Sequence, residues 1–444
     1  MGRLKYKKWS AFCLTGLLTF GMTTPVFAKT VVATAAEENI DGPMTLEEIQ
    51  KQVLKSNRLK TTLNLNYKKV LSGLDAIDEG LSDLKDTQDS AAHARRQAGE
   101  IASSTSSQIT GGILGGAIDP NLGKVSIGLL SGSAKTASAM EDMTDSIVDQ
   151  KRDELENQQQ SLKNTKQDLN KTQEDWNNQA LLVSQLLVVK TAQVEKGIGL
   201  LEEKQDLMER LYTIEEKKES LGLSIKTDLK QAKLTVSENS KDVQDAKDGL
   251  TLLKRQINDL MGKPIDGELE IVAPDMARVI EYAPEYSEEL LKEAKDKNYQ
   301  LKTLRRDYQQ AEQKTKDNTL YSGQIKAHQL DMDIAKVSME NQEIAIANDL
   351  KKKLDSINKA ASAYQIQKDT YEKAKTQLEQ QQKTAEVGML SSVEIQALEL
   401  QFKQNELALM AAAYDYDLAW EEYRLLMSGT SLDIYDTYKA QVGA

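Results

Sequence analysis

The chain has one cysteine, Cys13, and it lies in the N-terminal apolar stretch, so neither a disulfide framework nor thiol chemistry is available to the rest. Prolines number six, and none follows Pro284. A proline-free stretch of roughly 160 residues with helical patterning can hold long uninterrupted helices. Aromatics make up 5% and charged residues 28%, the composition of long helices and not of a compact mixed domain. The two histidines, His93 and His328, have no Cys or His at ligand spacing and read as solvated side chains. No nucleophile with a base, no metal constellation and no phosphate loop can be found, so the expectation is that the protein is not an enzyme and takes no cofactor.

Basic charge is also in deficit. The formal net charge is −12, and loss of a cleaved leader holding Arg3, Lys5, Lys7 and Lys8 would take it to about −16. Such a surface repels phosphate backbones, which makes nucleic acid a poor partner. Those four basic residues precede an apolar stretch from about Trp9 to Met22 and then Val26-Phe27-Ala28, a small-x-small cleavage site. Residues 1–28 are therefore predicted to be a signal peptide, and the mature chain to begin near Lys29. An uncleaved anchor is the alternative, but the stretch falls short of the ~20 residues a membrane span needs. The residues before Cys13 make a poor lipobox. No later run of 18 apolar residues occurs, so no transmembrane helix is expected.

What the chain does contain is an internal repeat. Seats alternating three and four apart run Leu229, Ala232, Val236, Asn239, Val243, Ala246, Leu250, Leu253, Ile257 and Leu260. Shifted by 166 residues the pattern returns as Ile395, Leu398, Phe402, Asn405, Leu409, Ala412, Tyr416, Ala419, Tyr423 and Leu426. Such spacing forms a coiled-coil seam, and Asn239 and Asn405 fall on the same seat, where a buried asparagine fixes register. Further stripes flank the second seam: Val393, Leu400, Leu407 and Tyr414 on one side, Ala397, Ala411, Leu418 and Leu425 on the other. A helix apolar over that width has more than one neighbour.

A glycine precedes each seam at the same offset, in Leu221-Gly222-Leu223 and in Val387-Gly388-Met389. Each glycine is predicted to turn the chain back. Ser391 and Glu394 then make an S-x-x-E capping box, with Asp228 at the place of Glu394 in the first copy. These two carboxylates read either as first-turn residues favoured by the helix dipole or as an acidic ring attracting cations. The approach from Gly323 to Gly388 has no intervening glycine or proline, a helix of roughly 95 Å at 1.5 Å per residue. Counting back the same distance from Gly222 reaches about Leu155. Residues 99–133, rich in glycine and serine, hold Asp119-Pro120-Asn121-Leu122-Gly123 as a predicted turn and alternating Val125, Ile127 and Leu129, which leaves room for a β-hairpin or a surface loop. Gln- and Lys-rich runs such as 156–173 read as a solvated face, and Trp176 and Trp420 as helix packing.

In order and spacing these elements resemble the TolC-like outer membrane efflux proteins. Thr45-Leu46-Glu47-Glu48-Ile49 is similar to the family's first helix opening, and Ala294 to Leu301 to the second, with Tyr299 where the family carries proline. The runs from Gly222 to Leu229 and from Gly388 to Ile395 resemble its two turns. Leu260-Met261-Gly262-Lys263-Pro264 and Leu426-Met427-Ser428-Gly429 resemble its repeat ends. The resemblance divides the chain into a 29–43 linker, a first repeat over 44–263, a 264–286 connector, a second repeat over 287–430 and a 431–444 tail.

The resemblance implies an all-α fold of two long antiparallel coiled-coil hairpin repeats, contributing to a trimeric helical tube. It also implies docking of the tips, Leu221, Gly222, Leu223, Val387, Gly388 and Met389, onto a periplasmic adaptor (membrane fusion) protein coupled to an inner-membrane ABC- or RND-type transporter. Localisation would be the cell envelope, at the outer membrane or periplasm. One departure stands out: family members insert a β-hairpin in each repeat, whereas here only 99–133 in the first repeat has room, and 318–323 in the second leaves a short turn. Three protomers with one hairpin each would supply six strands, fewer than the ~8 of the smallest outer-membrane barrels. A structural coiled-coil envelope protein without a membrane-spanning barrel is accordingly the alternative.

Overall fold

A computed structural model describes residues 42–442 except 57, 115, 116, 118, 276–278, 317–320, 387 and 388. The predicted signal peptide lies outside these residues. The fold is all-α. The helices are α1 (Leu46–Ser56), α2 (Arg58–Leu114), α3 (Pro120–Ser220), α4 (Lys226–Leu260), α5 (Glu288–Lys297), α6 (Tyr299–Thr315), α7 (Ser322–Glu386), α8 (Ser392–Met427) and α9 (Asp433–Gln441). At 1.5 Å per residue α3 runs for roughly 150 Å and α7 for roughly 100 Å.

Side-chain pairs fix how these rods lie. The Lys254–Glu195 and Lys247–Glu202 pairs, both 2.7 Å, set α4 antiparallel along the C-terminal part of α3. The Gln159 amide donates to Asp78 at 2.6 Å, setting α2 along the N-terminal part. Lys196 pairs with Glu406 at 2.7 Å and Arg210 donates to Gln396 at 3.0 Å, so α8 lies antiparallel on another side of α3. Lys353–Glu422 at 2.7 Å places α7 against α8. Asp168 of α3 accepts from Tyr299 at 2.6 Å and Arg306 at 3.1 Å, seating α6 in line with α8. Burial and the Asp168 carboxylate push the Tyr299 hydroxyl up to about 12. Four columns result: α2 with α4, then α3, then α6 with α8, then α7.

The seams explain the packing. Every seat of both ten-residue patterns is buried or half-buried, as are Val393, Leu400, Leu407 and Tyr414 on one flank of α8. Seats three and four apart return to one helix face, and that face meets the neighbouring column. Helix α8 touches both α3 and α7, which accounts for its wider apolar surface. The largest core forms where α3 (Trp176 to Ala192), the end of α4 (Leu253, Ile257, Met261), α8 (Met410, Tyr414, Leu418), α1 and α9 converge. There Met44 donates to the Glu270 carbonyl and accepts from the Val272 amide, both at 2.9 Å, in an isolated parallel bridge with the connector.

Phe402 departs from full burial. It is half-buried, with its ring 5.3 Å from that of Tyr371 and tilted by 35°. Full burial would make Phe402→Ala cost ~3–5 kcal/mol. Partial burial lowers the expectation to about 1–2 kcal/mol, read as a urea midpoint shift. A loss above 3 kcal/mol would mean that a neighbouring copy completes the seat.

Two segments take forms that the sequence reading left open. Residues 99–133, with room for a β-hairpin, are helical at every described position except Ala117 and Asp119, as the end of α2 and the start of α3. Asp119 caps α3, accepting from the amides of Asn121 at 2.8 Å and Leu122 at 3.3 Å, with Pro120 at the first helical position. The Asp-Pro pair therefore opens a helix instead of turning a hairpin. Gly123 serves close packing: a Cβ there would overlap the Ile113 side chain on α2. The second segment is the 431–444 tail, which contains α9. Its helix start has no side-chain cap of its own, and Gln179 of α3 accepts from Ile434 at 2.8 Å and Tyr435 at 3.3 Å instead.

Candidate functional site

The first tip is built by a C-terminal glycine motif. The Gly222 amide donates to Glu219 O at 2.9 Å and Leu223 to Lys218 O at 2.8 Å, with Gly222 at φ 73°. Glycine enters this left-handed region without the Cβ clash other residues meet. The turn ejects Leu221 and Leu223, which are 73% and 75% exposed. Ser224 donates to the Glu215 carboxylate, and that bond holds Glu215 below its usual range. Asp228 lies in the first turn of α4, with its amide 3.0 Å from the Ile225 carbonyl.

At the second tip Val387 and Gly388 lie outside the described residues. Met389 is 76% exposed, and its amide donates to Thr384 O at 3.2 Å. Ser391 then caps α8. Its amide and hydroxyl both donate to Glu394 Oε2 at 2.8 Å, and the Glu394 amide returns a bond to Ser391 Oγ at 3.3 Å. The Ser391 amide, then its hydroxyl, hold the Glu394 carboxyl below its ordinary value. That carboxylate is engaged in capping.

Since α8 runs antiparallel to α3, with Arg210 beside Gln396, both tips lie at the same end of the columns. Three exposed large apolar residues, Leu221, Leu223 and Met389, gather there, and Ile225 is a fourth that sequence reasoning did not single out. Its signal was an apolar residue directly before a helix start. Asn239, on the first seam, is buried and donates to Leu201 O and Gln205 Oε1, both at 3.0 Å, tying α4 to α3. Asn405, on the second, is half-buried.

The remaining candidates scatter. His93 is exposed on α2, and His328 lies 3.4 Å from Asp331 on α7. Among the described residues no group of His, Cys, Asp or Glu is arranged to hold a metal, and no helix is long and apolar enough to cross a membrane. Trp176 is buried in the main core, and Trp420 stands edge-on to Tyr423 at 5.8 Å.

No family model matches this chain, and no curated protein matches it. Among solved structures it is similar to the CmeC outer membrane channel of Campylobacter jejuni, at 12% identity over 65% of this chain and 71% of that one, with a TM-score of 0.48. The outer membrane protein VceC of Vibrio cholerae is similar at 13% identity over 59% and 73%, with a TM-score of 0.40. The open MtrE outer membrane channel of Neisseria gonorrhoeae is similar at 14% over 60% and 72%, with a TM-score of 0.36. Likeness at this level carries no activity across to this chain.

Proposed function

We propose that this protein is the conduit of an efflux or type I secretion system, assembled as a trimer and docked through its hairpin tips to an adaptor and an inner-membrane transporter. The observation that carries the reading is the gathering of Leu221, Leu223 and Met389, all exposed, at one end of a long helical array. Apolar residues clustered at a projecting end mark a binding site. Closure into a tube is supported by the outer column, where Leu330, Ile334, Val337 and Ile344, spaced four, three and seven residues apart, form an exposed stripe on α7. Among the described residues that stripe has no neighbour, and packing against the next copy would cover it.

A second reading, a structural coiled-coil protein of the cell envelope, draws on the helical character of 99–133, where the sequence left room for a barrel strand pair or a surface loop. Leu223→Asp combined with Met389→Asp separates the two. On the conduit reading helicity and trimer mass stay unchanged, while cross-linking in intact cells no longer recovers an adaptor and cargo export stops. Unchanged export would remove the docking mechanism and leave the structural reading. A stable monomer by light scattering, at micromolar concentration without detergent, would rule out the tube.

A further inference from the structure

At the end opposite the tips, α2 and α3 outrun the other described helices. By the 166-residue repeat, the start of α7 at Ser322 corresponds to Glu156, so the part of α3 from Pro120 to Leu155 projects as a two-helix hairpin of roughly 50 Å. Within it, the 34 residues between Glu100 and Lys135 hold two charges, Asp119 and Lys124.

The surface of this hairpin has two unlike sides. On α3, Leu122, Val125, Leu129, Met140, Met143 and Ile147 are 56–72% exposed. At 3.6 residues per turn all six fall within an arc of about 60°. On α2, Gly99, Ser103, Ser107 and Thr110 are exposed within an arc of about 80°, which the exposed Leu114 closes at its outer end. The inward faces are set by Ile109, Ile113, Gly123, Ile127 and Leu130, which are buried or half-buried between the helices. Measured from those faces, and with the two helices antiparallel, the apolar stripe and the small-residue flank lie on opposite sides of the hairpin.

We propose that this projection is an interface between copies of the chain, in which the α3 stripe of one copy packs on the small-residue flank of α2 in the next. It rests on the tube reading above. Large side chains meeting a flank of glycine, serine and threonine let the helices approach closely, and opposite placement of the two surfaces is the geometry of a head-to-tail ring. Lipid is the less suitable occupant, because a hairpin embedded in it would be apolar all round, whereas here the large apolar stripe covers one arc of α3 and α2 exposes mainly glycine, serine and threonine beside Ile101 and Leu114.

Paired residues across the hairpin place Ser107 and Leu129 at one level, on opposite sides within a copy. Cysteines there lie too far apart, and aimed too differently, for an intrachain disulfide. In the full chain with Cys13→Ser, Ser107→Cys with Leu129→Cys should give a ladder of disulfide-linked dimers and trimers on mild oxidation, with helicity unchanged. Monomers only, from protein that light scattering shows to be trimeric, would overturn this interface and leave the tube standing. Monomers from protein that is itself monomeric would remove both. Flotation with phosphatidylethanolamine–phosphatidylglycerol vesicles, lost in Val125→Asp/Leu129→Asp and accompanied by no ladder, would assign the stripe to lipid and overturn the proposal.

Discussion

Replacing Glu422 by alanine is expected to cost about 3–5 kcal/mol of stability, because it removes the centre of a desolvated charge network and leaves its partners in place. The Glu422 side chain is 3% exposed. Its Oε1 accepts from the Tyr435 hydroxyl at 2.7 Å and from Lys439 at 2.6 Å, and its Oε2 from Lys353 at 2.7 Å. One carboxylate thereby joins α8, α7 and α9. Burial alone would raise its pKa, but Lys353 and Lys439 outweigh it and hold the carboxyl below the ordinary range. A depressed folded value means that the network contributes stability above the unfolded pKa and loses it as pH falls through the folded one. Acid should therefore release α9 before the long columns.

Two measurements check this. Urea titration followed by circular dichroism gives the loss, and hydrogen exchange shows where it falls. The α9 amides should lose protection in Glu422→Ala while those near Gly222 keep theirs. A loss below about 1 kcal/mol would mean that both lysines reach water and that the network behaves as a surface one.

Glu422 also shows where sequence reading stops. The ladder of three and four spacing made α4 and α8 legible, and Ser391-x-x-Glu394 announced its own cap, since both signals are local. Glu422 carries no such signal: its partners Lys353 and Tyr435 come from other helices, and a charged residue on an amphipathic helix reads as solvated. The start of α9 was hidden for the same reason, its cap being Gln179, 255 residues away from Ile434. Residues 99–133 failed differently. Val125, Ile127 and Leu129 fit a period of two, yet Leu122, Val125 and Leu129 fit the helical one equally, and Asp119-Pro120 serves a turn or a helix start. Only the neighbouring α2, closing on Gly123, decides between them.

Gly429→Ala is expected to destabilise by about 2–4 kcal/mol, well beyond the same change at Gly222, although both glycines end helices in the same way. At Gly429, φ is 80°, its amide donates to Leu426 O at 3.0 Å, and Thr430 donates to Leu425 O at 3.0 Å. The positive φ alone costs an alanine about 1 kcal/mol. The difference lies in the surroundings. A Cβ on Gly429 would overlap the Lys297 carbonyl and come within 3.1 Å of the Asn298 nitrogen, the backbone junction between α5 and α6. Backbone cannot rotate away as a side chain can, and forcing such a contact adds roughly 1–3 kcal/mol. Asn298 itself caps α6, accepting from the Leu301 amide at 2.9 Å, so displacement there loosens a second helix start. At Gly222, where φ is 73°, a Cβ meets nothing within 4 Å, and only the conformational cost of about 1 kcal/mol remains. Parallel urea titrations of the two alanine variants measure the gap. Equal losses would mean that the end of α8 shifts freely off the α5–α6 junction, and that this crossing does not fix the second hairpin in place.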